Sequence, residues 1–463
     1  MLSSTKILVI CFGLASLVMA SRLSASEAPE ADAQLARRIE WFRDRKFGFF
    51  MHWGAYSQLG CIESWPLVWA DRKWSNPSLR TFDEMLAFRK KYWALNATFN
   101  PTKFDPQSWA KIAENAGMRY VMFTTKHHDG FCMYDTKQTD YKVTGSDCPW
   151  SKSPKADVAR AVFDAFRQQG FGIGAYFSKA DWHHPGYWDP QRPAIDRNPN
   201  YDTSKEPQRW EDFVKFTHAQ IEELMSNYGR IDILWLDAGQ VRPPKQDIRM
   251  DELAAMARQH QPHLIIVDRT AGTKHENYRT PEQEVPDRPL SYPWETCMTM
   301  GDQWSFKPND NYKSTRRLVQ LLVDIVAKGG NFLLNVGPQP DGDLPPEAVK
   351  RLQEIGKWMA VNGEAIYATR PIAPYKTGRV CFTSKGDTVY AIYLAEDSRN
   401  APPASIALPR GAPRPKAGSE VHLLGFDGAM KWTEADGGVV IQLPEAAIKN
   451  PPCEHAWVVK ITP

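Results

Sequence analysis

At 463 residues and 42% hydrophobic, the chain can bury a large core and has the length of two or three ordinary domains. A net charge of +3, with Lys and Arg spread evenly, leaves no basic face for nucleic acid or an anionic membrane. The 17 Trp, 16 Tyr and 21 Phe are a surplus of aromatics that can fill cores or stack on sugar rings.

The chain begins with Lys6 ahead of an apolar run, Ile7 to Ala20, too short to span a bilayer comfortably and suited to a signal-peptide core. Residues 1–26 are therefore expected to be an export signal, with small residues at Ala20, Ser24, Ala25 and Ser26 as alternative cleavage points. Six cysteines then remain (Cys61, Cys132, Cys148, Cys297, Cys381 and Cys453). Their scattered spacing excludes a CxxC zinc site and leaves room for one or two disulfides of unreadable pairing. Asn96-Ala-Thr98 is a glycosylation acceptor if the host is eukaryotic.

From there, helix-period and strand-like segments alternate. The helix Ser108 to Ala116 leads to the strand Arg119 to Thr125, and Ala156 to Gln169 leads to Gly172 to Ser178. Glu211 to Tyr228 leads to Ile231 to Asp237, Asp251 to Gln261 to His263–Asp268, and Leu318 to Lys328 to Asn331–Val336. Short Gly or Pro joints between such units imply a parallel sheet with right-handed crossovers, and five units fit a closed (β/α)8-like barrel over residues 27–370. An open doubly wound sheet is the alternative, but no GxGxxG follows the first strand. After Arg370-Pro371 the pattern changes to short β runs (Val380 to Thr383, Thr388 to Leu394, Val421 to Leu424, Gly438 to Leu443, Ala456 to Ile461). They read as a C-terminal antiparallel β-sandwich over 371–463, with Ser398 to Lys416 as an exposed connection.

Reactive side chains stand where barrel strands end, which is where such folds place their chemistry. His52 closes the first strand, His127 and His128 follow the second, and Tyr176 and Ser178 close the third. Asp237 ends the fourth beside the small Ala238 and Gly239, and Arg269 follows the fifth. Such groups hydrogen-bond directionally, and burying them without a ligand costs stability. His127-His128-Asp129 could also be read as metal ligands. Neighbours on an extended strand point to opposite faces, so two adjacent His ligands would need a bulge, and no metal is expected.

The strings Phe47-Gly-Phe-Phe-Met-His52-Trp53-Gly54, Lys126-His-His-Asp-Gly-Phe131, Trp235-Leu-Asp237, Pro293-Trp-Glu295-Thr-Cys297 and Gly330-Asn-Phe-Leu-Leu-Asn-Val-Gly337-Pro338 resemble the α-L-fucosidase family of retaining glycoside hydrolases. The resemblance runs from Trp41 to Ala368. It implies a (β/α)8-like barrel, a C-terminal β-sandwich, no metal, no organic cofactor, and a fucosylated glycan as the substrate. Asp237 matches the family's nucleophile, and His52, His127, His128, Tyr176 and Arg269 match its fucose-binding positions. Glu63, Trp65 and Trp304 are expected in the same pocket. Two glutamates compete for acid/base: Glu282, in register 13 residues past Arg269, is preferred over Glu295 in the Pro-Trp-Glu-Thr-Cys string.

The chemistry so implied needs an ionised Asp237 to attack the anomeric carbon and a glutamate to protonate the departing oxygen, with the two carboxyls about 5–5.5 Å apart. An apolar Trp and Phe wall is expected to keep that acid protonated. Two rivals remain open: a non-catalytic sugar-binding barrel, and a retaining hydrolase for a related sugar such as galactose. The leaving-group linkage is not legible, since loops such as Asp181 to Asn200 and Arg242 to Asp247 shape that side. Export implies a periplasmic, secreted or lysosomal location, with no membrane attachment once the signal is removed.

Overall fold

The computed structural model describes residues 30–397 and 400–462; the expected export signal lies outside them. Seven parallel strands form one sheet in the order β5-β4-β3-β2-β1-β7-β6: β1 (Phe47–Met51), β2 (Tyr120–Lys126), β3 (Gly172–Ser178), β4 (Ile233–Asp237), β5 (Ile265–Asp268), β6 (Glu295–Thr299) and β7 (Asn331–Val336). The two edge strands do not pair with each other. Residues 276–283 fill the gap between them: Asn277 N donates to Ile266 O on the β5 side (3.0 Å). On the β6 side Glu295 N donates to Arg279 O and Gln283 N to Cys297 O, both at 2.9 Å. An irregular segment thus stands in for the eighth strand and closes a (β/α)8-like barrel. Sequence reading missed β6, whose Glu295-Thr-Cys-Met-Thr299 carries too few β-branched apolar residues to register as a buried strand.

Strand periodicity divides the core in two. Phe50, Tyr120, Met122, Tyr176, Trp235 and Val267 point into the barrel and pack on one another. Their neighbours Phe49, Val121, Phe123 and Leu234 point outward against the helices, as period-two alternation requires. The helix Val158–Gln168 shows how the outer layer is made. Asp157 caps it by accepting from Arg160 N, Gly170 ends it at φ +76°, and Phe163 and Phe166 meet Phe123 and Phe49. At the barrel's lower end the helix Glu30–Arg45 brings Phe42 onto Tyr278, with ring centroids 4.1 Å apart. The upper end is open.

Gly48 marks how tightly that lower end is filled. A Cβ there would lie 2.3 Å from Tyr120 Cζ, in the ring whose hydroxyl donates to Glu295 Oε2 at 2.5 Å. We expect Gly48→Ala to cost about 1–3 kcal/mol by overpacking, read as a lowered Tm. An unchanged Tm would mean that the interior yields more easily than this contact allows.

The C-terminal part has a five-stranded antiparallel sheet in the order β12-β15-β10-β9-β8 facing a three-stranded one in the order β11-β14-β13. Its strands are β8 (Arg370–Thr377), β9 (Val380–Lys385), β10 (Thr388–Leu394), β11 (Ser405–Leu408), β12 (Glu420–Leu423), β13 (Lys431–Ala435), β14 (Gly438–Gln442) and β15 (Ala456–Thr462). Phe382, Ala391, Trp457 and Val459 face the second sheet, while Tyr390, Ile392 and Val458 face the barrel helices. Trp358 Nε1 donates to Ala456 O across that junction (2.9 Å). The segment Ser398 to Lys416, expected as an exposed connection, contains β11. Its short Ser-Ile-Ala-Leu run is masked in sequence by the surrounding prolines. The expected disulfides are absent among the described residues. All six cysteines of the described residues are free. No helix among the described residues is long and apolar enough to cross a membrane.

Candidate active site

The open end of the barrel holds a cavity of about 520 Å³. His52, Glu63, Trp65, His127, His128, Tyr176, Asp237, Arg269, Glu282 and Trp304 all line it. Glu295 does not. As the first residue of β6 it lies at the opposite end of the strand, fully buried, where it accepts from the hydroxyls of Tyr120 and Tyr278 (2.5 and 3.2 Å). Burial pushes its carboxyl up to about 7 despite those hydroxyls. Glu295 braces the floor of the barrel.

Asp237 is gripped from two sides. Tyr176 OH donates to Oδ2 (2.7 Å) and Arg269 Nη1 donates to Oδ1 (3.0 Å). Burial alone would raise this carboxyl; the Arg269 charge and the Tyr176 hydroxyl outweigh it and hold Asp237 well below the usual carboxylate range. The other arm of the same guanidinium, Nη2, donates to Glu282 Oε2. Glu282 stands at the upper end of the irregular closing segment, its side chain 40% exposed. The expected apolar wall around the acid is therefore not found: its neighbour is a guanidinium, because the closing segment delivers Glu282 to the rim instead of the interior.

Each of these three charged residues precedes a non-glycine residue in the left-handed region: Ala238 at φ +67°, Thr270 at +57° and Gln283 at +57°. Each such residue costs about 1–2 kcal/mol, and strain of this kind gathers at functional sites. Gly239 has a different use from the room around Asp237 that its size suggests. A Cβ there would meet Thr270 Oγ1 at 1.9 Å, so the glycine lets the turns after β4 and β5 touch.

The three histidines are uncharged near neutral pH. Burial pushes His52 down to about 3, His128 to about 4, and His127 well below the usual imidazole range. Partners fix the tautomers of His52 and His128. Asn335 Nδ2 donates to Trp304 O, so its Oδ1 accepts from His52 Nδ1 (2.8 Å) and leaves Nε2 as an acceptor. Ser178 Oγ donates to Ala180 O and so accepts from His128 Nδ1 (2.6 Å); His128 Nε2 lies 3.8 Å from Asp237 Oδ2. Ser64 Oγ accepts from Asp129 N and shares a hydrogen bond with His127 Nδ1, which leaves His127 Nε2 facing the cavity. The cavity thus presents the imidazole acceptors of His52 and His128 beside the ring of His127, an assortment suited to hydroxyl groups.

Glu63 is fully buried, and burial raises its carboxyl well above the usual range, with Ser305 N donating to Oε1 (2.7 Å) in opposition. Its Oε2 has no partner among the described residues. A buried carboxyl with a free oxygen on a cavity wall is an unfilled hydrogen-bonding position. Trp65 is partly covered, with the Arg197 guanidinium 4.6 Å over its ring.

His127 and His128 both reach the cavity, against the expectation that adjacent residues diverge. The register of β2 shifts between Thr124 and Lys126, and both histidines lie past the strand, with ring centroids 4.2 Å apart. Asp129 turns away and accepts from Tyr92 OH (2.9 Å). Ligand atoms of His127, His128 and Asp237 lie within 4.8 Å of one another. A cation there would have to share the Asp237 carboxylate with Arg269, whose charge opposes it. Sequence reading missed Phe50, Trp235 and Cys297 as lining residues, although Phe50 and Trp235 stand two positions before His52 and Asp237 on the same inward face. Gln240 and Thr270 were missed as well, and Arg197 and Arg242 were placed only through the loops 181–200 and 242–247 expected on the leaving-group side; loop residues carry no periodic signal that would single them out.

The chain matches the family described as "Alpha-L-fucosidase" over residues 16–364 and the "Alpha-L-fucosidase C-terminal domain" over 374–462. It is 31% identical over 446 residues to the plasma alpha-L-fucosidase of Rattus norvegicus, covering 91% of each chain. Among solved structures it is similar to alpha-L-fucosidase isoenzyme 1 from Paenibacillus thiaminolyticus (30% identity, TM-score 0.76, 93% of this chain and 99% of that one). It is also similar to a Thermotoga maritima alpha-fucosidase in complex with fucose (27% identity, TM-score 0.73, 92% and 98%). With a barrel whose open end collects these residues and a sandwich behind it, the chain belongs to the α-L-fucosidase family of glycoside hydrolases.

Proposed function

We propose that this glycoside hydrolase removes terminal α-L-fucose from glycans with retention of configuration, by a double displacement in which Asp237 is the nucleophile and Glu282 the acid/base. The observation that carries the reading is the Arg269 fork: one guanidinium holds both carboxylates, Asp237 through Nη1 and Glu282 through Nη2, over a single cavity. A retaining mechanism needs two carboxyls close together, and a shared guanidinium supports such an arrangement. The lowered Asp237 carboxyl is ionised and ready to attack the anomeric carbon. Glu282, on the rim, gives its proton to the departing oxygen and later takes one from the hydrolytic water. A sugar in the cavity covers Glu282 and completes its surroundings.

His52, His127, His128, Tyr176 and Arg269 fix the sugar's hydroxyls, while Phe50, Trp235 and Trp304 supply the apolar lining that suits a 6-deoxy sugar. The domain limits that go with this reading are residues 27–370 for the barrel and 371–463 for the sandwich, with residues 1–26 as an export signal. The test is hydrolysis of an aryl α-L-fucoside beside the corresponding α-L-galactoside, which differs only in carrying CH2OH in place of the C5 methyl. Turnover of the fucoside at a far higher kcat/KM supports the reading, and a preference for the galactoside overturns it.

Glu63 provides a sharper check on the pocket. Burial raises its carboxyl well above the usual range and so favours the protonated form, which is the form assigned to binding. Glu63→Gln, which keeps a neutral side chain of the same shape, should cost less than about 10-fold in kcat/KM, whereas Glu63→Ala should cost about 100-fold. The Gln variant should also lose whatever part of the fall in kcat/KM with rising pH comes from ionisation at position 63. Equal losses in the two variants would show that Glu63 works as an anion.

A further inference from the structure

We infer that the buried ion pair between Lys179 and Asp268 positions Arg269 over Asp237 and Glu282, so that two residues outside the cavity set how firmly the nucleophile is held. The inference rests on the proposed function and extends it to positioning residues that touch no sugar. The two side chains are 1% and 2% exposed and line no part of the cavity. Strand parity explains this. Tyr176 and Ser178 on β3 and Val267 on β5 face inward, so Lys179 and Asp268 fall on the outward side. From there the Lys179 ammonium passes behind the end of β4, which lies between β3 and β5, and donates to Asp268 Oδ1 (2.5 Å). Its backbone N donates to Asp237 O (3.2 Å). One lysine thus ties together the three strand ends that present Tyr176, Asp237 and Arg269.

Stability alone does not call for these charges. A buried ion pair can be replaced by apolar contact at little cost, whereas removing one partner strands the other in the interior. What the pair supplies is a fixed place for the end of β5. That strand has only four residues, and its outer neighbour is the irregular segment 276–283 instead of a strand. Asp268 is held twice, by Lys179 on Oδ1 and by Thr273 Oγ1 on Oδ2 (2.8 Å), and the next residue is Arg269. Arg269 N in turn donates to Leu236 O on β4 (3.1 Å). Thr270 Oγ1 lies so near Gly239 that a Cβ there would meet it at 1.9 Å. Contacts this close leave no slack, so a shift at Asp268 reaches both arms of the guanidinium fork.

The experiment measures Tm and the pH profile of kcat/KM on an aryl α-L-fucoside for the parent, Lys179→Met, Asp268→Leu, the double variant and Thr273→Val. Each single variant at the pair buries an uncompensated charge and should lower Tm, and the double variant, with two apolar side chains of similar size, should recover most of that loss. Its kcat/KM should nevertheless stay about 30-fold or more below the parent's, because Arg269 is no longer held in place. The titratable groups facing Asp237 are Tyr176, His52, His127, His128, Glu63, Cys297 and the Arg269–Glu282 pair, and the pair at 179 and 268 bears on Arg269. With that guanidinium loosened, the Asp237 carboxyl rises from its depressed position, and the acid limb of the profile moves to higher pH by about 1 unit or more. Thr273→Val removes only the outer hydrogen bond on Asp268 and keeps both charges. It should shift the limb in the same direction, with about a 3-fold loss.

A double variant with the parental kcat/KM, or one whose loss leaves the acid limb where it was, would overturn the positioning role while leaving the fucosidase reading intact. If the double variant does not fold, parental behaviour of Thr273→Val would do the same. A parent inert on the aryl fucoside would overturn the reading on which the inference rests.

Discussion

Asp237→Gly should lose on the order of 10⁴-fold in kcat on an aryl fucoside while folding as the parent does. The carboxylate is the one group in the cavity held ionised by both a guanidinium and a tyrosine hydroxyl, and it ends β4 where an incoming anomeric carbon can meet it. Glycine removes the nucleophile but leaves space, so added azide should restore part of the rate on an activated fucoside by attacking in its place. The loss of Asp237 also leaves Arg269 with Glu282 as its sole carboxylate in the site, a change confined to the cavity and without cost to the barrel's closure. A variant that keeps most of the parental rate would remove Asp237 from the chemistry.

The second large effect separates the two glutamates. A good aryl leaving group needs little acid catalysis, so Glu282→Ala should form the fucosyl-enzyme at close to the parental rate and then stall, because water attacks without a base. A pre-steady-state burst, a KM lowered about 10-fold or more, and rescue by azide follow from that imbalance. Glu295→Ala should behave as a structural lesion. It deprives the buried hydroxyls of Tyr120 and Tyr278 of their acceptor at the barrel floor, which costs about 1–3 kcal/mol for each group left unsatisfied. The expected signature is a lowered Tm with neither burst nor rescue. Burst and rescue in Glu295→Ala would instead place the acid/base at the floor, against its distance from the cavity lining.

The barrel was legible because its units announce themselves: apolar strands such as Gly172–Ser178 follow helices closed by Gly117, Gly170 or Gly229, and the strand ends fell within two residues of their expected positions. Strand β6 and the closing segment 276–283 were not, since neither has the β-branched apolar run by which a buried strand is recognised. Asp237, Arg269 and the histidines could be placed at strand ends from sequence, and parity along β1 and β4 could have added Phe50 and Trp235.

What the sequence could not carry is the relation between loops. Nothing local says that Glu282 would meet Arg269, that Glu63 would be buried with one oxygen unpaired, or that Ala238, Thr270 and Gln283 would adopt left-handed backbone without being glycine. Each of these is imposed by tertiary contact. The two acid/base candidates looked alike in sequence because both stand near the same string. They lie at different depths along β6, since Glu282 runs beside Cys297, which lines the cavity, while Glu295 begins the strand below.

The central claim is a covalent fucosyl-Asp237, and it can be trapped. A 2-deoxy-2-fluoro-L-fucosyl fluoride destabilises both transition states but leaves through a good leaving group, so the intermediate should accumulate. Peptide mass spectrometry after proteolysis should then find one added 2-fluorofucosyl unit on the peptide that contains Asp237. The label on another carboxylate, or β-L-fucose as the first-formed product of an α-fucoside by NMR, would contradict the account.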